Sequence, residues 1–79
     1  MAKRYFINTP DNKTYYSDNP KDFEEDILDF YRENNEPINL FELESIIGSI
    51  TGLKIFKVCS AGYSIELNGK TLDFYVEEA

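Results

Sequence analysis

Hydrophobic and polar positions alternate most cleanly toward the C-terminus. Tyr63, Ile65 and Leu67 are separated by Ser64 and Glu66, and beyond Asn68-Gly69 the residues Leu72, Phe74 and Val76 are separated by Asp73 and Tyr75. A period of two is the signature of a half-buried strand. Asn-Gly between two such runs predicts a type I′ hairpin, because that turn needs positive φ at both central positions. A two-residue loop pairs Leu67 with Lys70, Ile65 with Leu72 and Tyr63 with Phe74. Ser64 then pairs with Asp73 and Glu66 with Thr71 on the other face. A one-residue slip would send the apolar set to the solvent side.

Three further strands are expected. Residues 53–59, LKIFKVC, form the third strand of a C-terminal meander, although adjacent Ile55 and Phe56 blur the alternation. Residues 4–8 and 14–17 form an N-terminal hairpin around Pro10 and the turn-forming Asp11-Asn12 pair. A lone hairpin is marginal, so this one should lean on the rest of the fold.

Between these strand regions the period changes. Asn19 can cap a helix, Pro20 suits its first position, and Asp22 complements the positive end of the helix dipole. The spacing predicts a helix over 20–33, stopped by Asn34-Asn35 and Pro37. Asn39 followed by Glu42 resembles a capping box and predicts a second helix over 40–50. Gly52 is expected to end it in a left-handed conformation, and Gly48 lies inside it at a propensity cost of about 1 kcal/mol. The order ββααβββ follows: an α+β chain whose two helices pack on an antiparallel sheet. It reads as one domain over 1–79, comprising an N-terminal hairpin (1–17), an acidic two-helix segment (20–50) and an antiparallel meander (53–77).

Composition supports folding. Of 79 residues, 42% are hydrophobic and twelve are Phe or Tyr, too many for a disordered chain despite a net charge of −7. A chain this short buries only about 60–65% of its unfolded surface, which leaves little room for a deep pocket. It contains no histidine and one cysteine, Cys59, so neither a Ser-His or Cys-His pair nor a four-ligand Cys/His zinc site can be assembled. Glu42 with Glu44, or Glu66 with Asp73, offers carboxylate pairs without the enclosure that would separate their proton affinities. Asp18, Asn19 and Asp22 fail the spacing of a calcium loop. The expectation is a protein that is not an enzyme and uses no metal or cofactor. With no apolar run of membrane-spanning length, a cytoplasmic location is expected, in the host cytoplasm if the chain is viral.

Charge is distributed unevenly. Residues 18–44 carry ten carboxylates against Lys21 and Arg32, a net of −8, so the negative excess belongs to the helical segment. At 100° per residue, Phe23, Ile27, Phe30 and Tyr31 share one side of the first helix, while Asp22, Glu25, Asp26, Asp29 and Glu33 share an arc of about 100° facing away. Asp22–Asp26, Glu25–Asp29 and Asp29–Glu33 are like-charge neighbours, each opposing helix formation by about 0.2–0.5 kcal/mol. Five carboxylates over about 16 Å of helix give a charge spacing comparable with a nucleic-acid strand. Such an arc serves either as a solubilising skin or as a docking face for a basic protein surface, such as the groove of a nucleic-acid-processing enzyme. Small inhibitors of host restriction or CRISPR machinery are one setting for this chemistry.

Two other binding modes are open to the chain. Lys3, Arg4, Tyr5, Lys13, Tyr15 and Tyr16 could form a basic aromatic patch for nucleic acid, which the net charge of −7 opposes. Tyr15, Tyr16 and Tyr75 combine apolar area with a polar tip and are candidate aromatic contacts, Tyr75 marking a face through which the chain could act as a homodimeric module.

Overall fold

The computed structural model describes residues 2–55 and 62–79. Four strands, β1 (Lys3–Asn8), β2 (Thr14–Ser17), β3 (Gly62–Leu67) and β4 (Lys70–Glu78), form an antiparallel sheet in the order β2-β1-β4-β3. Between β2 and β3 come a 3-10 turn (Pro20–Phe23), helix α1 (Glu24–Glu33) and helix α2 (Leu40–Thr51). The architecture is α+β.

The C-terminal hairpin has the register its alternation dictates, with Tyr63 opposite Phe74, Ile65 opposite Leu72 and Leu67 opposite Lys70. Asn68 and Gly69 both adopt positive φ, 52° and 77°. The strand expected over 53–59 falls mostly outside the described residues. Its first residue, Leu53, is buried, and Ile55 packs half-buried against the core.

The two hairpins are joined through β1 and β4, where Tyr5 faces Val76 and Ile7 faces Phe74. This pairing places Tyr5, Ile7, Ile65, Leu72, Phe74 and Val76 on one sheet face, and both helices cover it. Ile27 and Phe30 of α1 and Leu43, Ile46, Ile47 and Ile50 of α2 complete one apolar cluster. Tyr5 reaches across it, its hydroxyl donating to the Thr51 carbonyl at 3.4 Å, and Lys3 Nζ donates to the Leu53 carbonyl at 2.9 Å. The opposite sheet face carries Phe6 stacked on Tyr75 with ring centroids 5.0 Å apart, and Tyr16 beside Phe6 at 6.0 Å.

Two helix boundaries differ from the sequence expectation. Residues 20–23 form a 3-10 turn before α1 begins at Glu24, with Lys21 N–H donating to Asn19 Oδ1 and buried Pro20 and Phe23 anchoring the turn. Gly52 does not enter the left-handed region. Its φ is −78°, and α2 closes with its N–H donating to the Gly48 carbonyl. The left-handed terminus belongs instead to α1: Asn35 has φ 55°, its N–H donates to the Arg32 carbonyl, and Glu36 N–H donates to the Tyr31 carbonyl. These paired bonds satisfy the last carbonyls of α1 in a Schellman arrangement. Asn39 caps α2 as expected, accepting from Glu42 N–H at 2.8 Å.

Candidate functional site

The α1 helix presents its apolar stripe inward and its carboxylates outward because Ile27 and Phe30 are committed to the core. Glu25, Asp29 and Glu33 are exposed and Asp26 is half-buried. Asp22 is exposed and lies in the 3-10 turn ahead of α1. Its carboxylate accepts the Ser17 hydroxyl. Asp29 accepts from Arg32 at 2.7 Å, and Arg32 supplies the one ion pair made by α1 among the described residues.

Asp26, Asp29 and Glu33 also line a groove of about 460 Å³ between α1 and the turn ends of the two hairpins. Buried Phe30 and Leu72 give it an apolar floor, while the exposed Pro10 and Tyr15 stand with Asp11 and Lys70 on the sheet side. One wall is fastened to the other: Asn68 Nδ2, in the β3–β4 turn, donates to the Asn34 carbonyl at 3.1 Å. Asn34 is only 6% exposed and its own amide donates to the Phe30 carbonyl at 2.8 Å. The floor therefore sits between two backbone segments held at a fixed spacing.

The carboxylates of this groove differ in environment. Partial burial pushes the Asp26 carboxyl above its usual range, and neighbouring Asp29 and Glu25 add to the shift. Asp11 moves the other way, held below its usual range chiefly by the hydrogen bond from the Thr9 hydroxyl, with Lys13 contributing at 3.7 Å. Among the described residues, neither Asp26 nor Glu33 has a basic group within 4.0 Å. Their charge is left to solvent or to whatever occupies the groove.

The three candidate tyrosines do not form one surface. Tyr15 lines the acidic groove, whereas Tyr16 and Tyr75 lie on the far face of the sheet with Phe6. Tyr75 is half-buried by its stack on Phe6, and Tyr16, 63% exposed, lies under the Arg4 guanidinium at 4.9 Å from the ring centroid. Strand alternation likewise divides the basic residues of the first hairpin, since Lys3 and Tyr5 point toward the helices and Arg4 toward the open face. Arg4 is further engaged by Asp18 at 3.2 Å.

Several residues of interest were not apparent in the sequence. Thr9, Pro10, Lys70 and Leu72 join the groove only because two turns distant in sequence meet beside α1. Leu40 and Phe41 are exposed by 72% and 82% at the start of α2. A helical wheel drawn from the buried set Leu43, Ile46, Ile47 and Ile50 would have placed Phe41 opposite the core.

Comparison with protein-family models, curated proteins and solved structures finds no match to this chain. The functional reading therefore rests on the geometry of the molecule itself.

Proposed function

We propose that this chain is a small non-catalytic binding protein whose α1 face engages a basic surface of a partner protein. The observation that carries the reading is the unbalanced row along α1. Glu25, Asp26, Asp29 and Glu33 occupy little more than two turns, with Arg32 as the one counter-charge within 4.0 Å among the described residues. Like charges at this spacing oppose the helix, and a partner that brings cations relieves that repulsion on contact. A nucleic-acid-processing enzyme fits the chemistry, because its substrate groove is basic and a row of carboxylates can occupy it. Inhibition then follows from steric and electrostatic exclusion, and host-defence nucleases of the restriction or CRISPR kind are a setting for such an inhibitor.

A second reading, a homodimeric interaction module acting without charge mimicry, is favoured by the outward Leu40 and Phe41. One experiment separates the two. In a salt-graded pull-down, the parent chain should retain a basic partner at low salt and release it steeply as salt rises. Changing Asp22, Glu25, Asp29 and Glu33 together to Asn or Gln should abolish retention with an unchanged circular dichroism spectrum. Retention undiminished by that change removes α1 from the mechanism. Light scattering on the same samples that gives twice the 9.2 kDa chain mass supports the second reading.

A further inference from the structure

We infer that the groove between α1 and the two hairpin turns receives an arginine side chain of the basic partner. The inference rests on the acidic-face reading and specifies where and how that face makes its selective contact.

Shape and charge both point to this occupant. The groove, at about 460 Å³, has an apolar floor of buried Phe30 and Leu72 beneath a rim of carboxylates. A compact inorganic cation would find no use for that floor. A fully apolar side chain would strip water from the rim without replacing its hydrogen bonds. A long side chain with an aliphatic stem and a cationic head matches both halves, the stem lying on the floor and the head among the acids.

The head is best matched by a guanidinium. Asp26, Asp29 and Glu33 are three and four residues apart along α1, so their carboxylates form a staggered ladder along one wall. A planar head with five donors can address two adjacent rungs together, whereas an ammonium acts as a single strongly hydrated point charge. Tyr15 supplies an aromatic ring on the opposite side, against which a guanidinium plane stacks. Both contacts already occur elsewhere in the molecule: Arg32 binds Asp29 at 2.7 Å, and Arg4 lies over the Tyr16 ring at 4.9 Å.

Position within the groove follows from its charges. Lys70 stands on the sheet side and repels a second cation from that end. Asp11 is already engaged by Thr9 and Lys13. Asp26, lacking a basic neighbour within 4.0 Å among the described residues, is left as the principal anchor, and one rung above it Asp29, whose Oδ1 holds Arg32, has its second carboxylate oxygen to offer. The walls need not close on the ligand, because Asn68 and Asn34 hold the turn against the helix end beforehand.

The test uses NMR titration of the isotope-labelled chain with three blocked tripeptides, Gly-Arg-Gly, Gly-Lys-Gly and Gly-citrulline-Gly. The arginine peptide should shift the resonances of Tyr15, Phe30 and Leu72, with affinity at least about fivefold above that of the lysine peptide. The citrulline peptide, of similar shape without the charge, should shift none of them. Asp26→Asn and Tyr15→Ser should each weaken the arginine peptide, and Tyr15→Phe should preserve its binding. Equal affinity for arginine and lysine, shifts confined to the outer side around Glu25, or no shift at millimolar peptide would each overturn the assignment. Hexalysine, added separately, reports the acidic face alone. If hexalysine binds in a salt-dependent way while the arginine peptide leaves the groove unshifted, the face stands and the groove assignment falls. If neither binds, both fall.

Discussion

The two helices solve the same packing problem and leave opposite outer surfaces. Asn39 caps α2 directly and Asn19 caps the 3-10 turn that leads into α1, and both helices lay an apolar stripe on the same sheet face. Inward, Ile27 and Phe30 of α1 are equivalent in kind to Ile46, Ile47 and Ile50 of α2. Outward, α1 carries four carboxylates in a row, while α2 offers Phe41, Ser45 and Gly48, with exposed Glu42 and Glu44 only in its first half. Burial dictates the inner stripes and is indifferent to the outer ones. The outer faces are therefore where this fold has latitude for recognition, and they differ because nothing in the core requires them to agree.

The sharpest way to break that comparison is to cut the same group from each inner stripe. Ile27 and Ile50 are both fully buried. Ile27→Ala and Ile50→Ala should each lower stability by about 2–5 kcal/mol, read as parallel losses in urea midpoint at constant slope. A large loss in one and almost none in the other would mean that the helices do not share a core.

A smaller effect of opposite sign should come from the outer side of α2. A methyl group built on Gly48 meets nothing within 4 Å, and the position lies inside the helix. Gly48→Ala should accordingly stabilise the protein by about 1 kcal/mol, measured by thermal or urea unfolding. Destabilisation would show that the outer face of α2 is occupied, contrary to the latitude argued above.

The smallest effect concerns Asp26. Its carboxyl is raised above the ordinary value of 3.8 by partial burial first and by Asp29 and Glu25 after that. A raised carboxyl in the folded state means that the native chain holds its proton more tightly than the unfolded chain. The ionised group therefore costs stability above that raised value, and the cost disappears as pH falls through it toward 3.8. Asp26→Asn should raise stability at neutral pH by only about half a kcal/mol, because solvent screens a group this accessible. Paired urea melts at pH 7 and pH 4 should show that advantage shrinking on acidification. An advantage that grows toward low pH would refute the assignment.

Local chemistry was legible in the sequence wherever one short segment sufficed to specify it. Asn68-Gly69 and the alternation around them fixed a register in which every pair from Tyr63–Phe74 to Leu67–Lys70 is correct. Asn39 marked the start of α2, and Asn34-Asn35 the end of α1. Features needing two distant segments were hidden. The adjacency of β1 and β4 depends on which hairpin edges meet, and no local pattern records that. The groove inherits the same blindness, since Pro10 and Leu72 become neighbours of Glu33 only after the sheet is assembled. The carboxylate row was legible as composition and period, but its division was not. Asp22 sits in a 3-10 turn anchored by buried Pro20 and Phe23, and Asp26, Asp29 and Glu33 line the groove beside buried Phe30 while Glu25 does not.

The placement of β1 between β2 and β4 has a consequence in time. Lys3 lies opposite Glu78 and Asn8 opposite Asp73, so the central seam of the sheet joins residues that are 65 (73 − 8) to 75 (78 − 3) positions apart. Closing such a seam requires a loop of nearly the whole chain length, an ordering step that local turns cannot shorten. Until β4 docks, Tyr5 and Ile7 have no strand on that side. The first hairpin must therefore wait for β4 before its inner edge is paired.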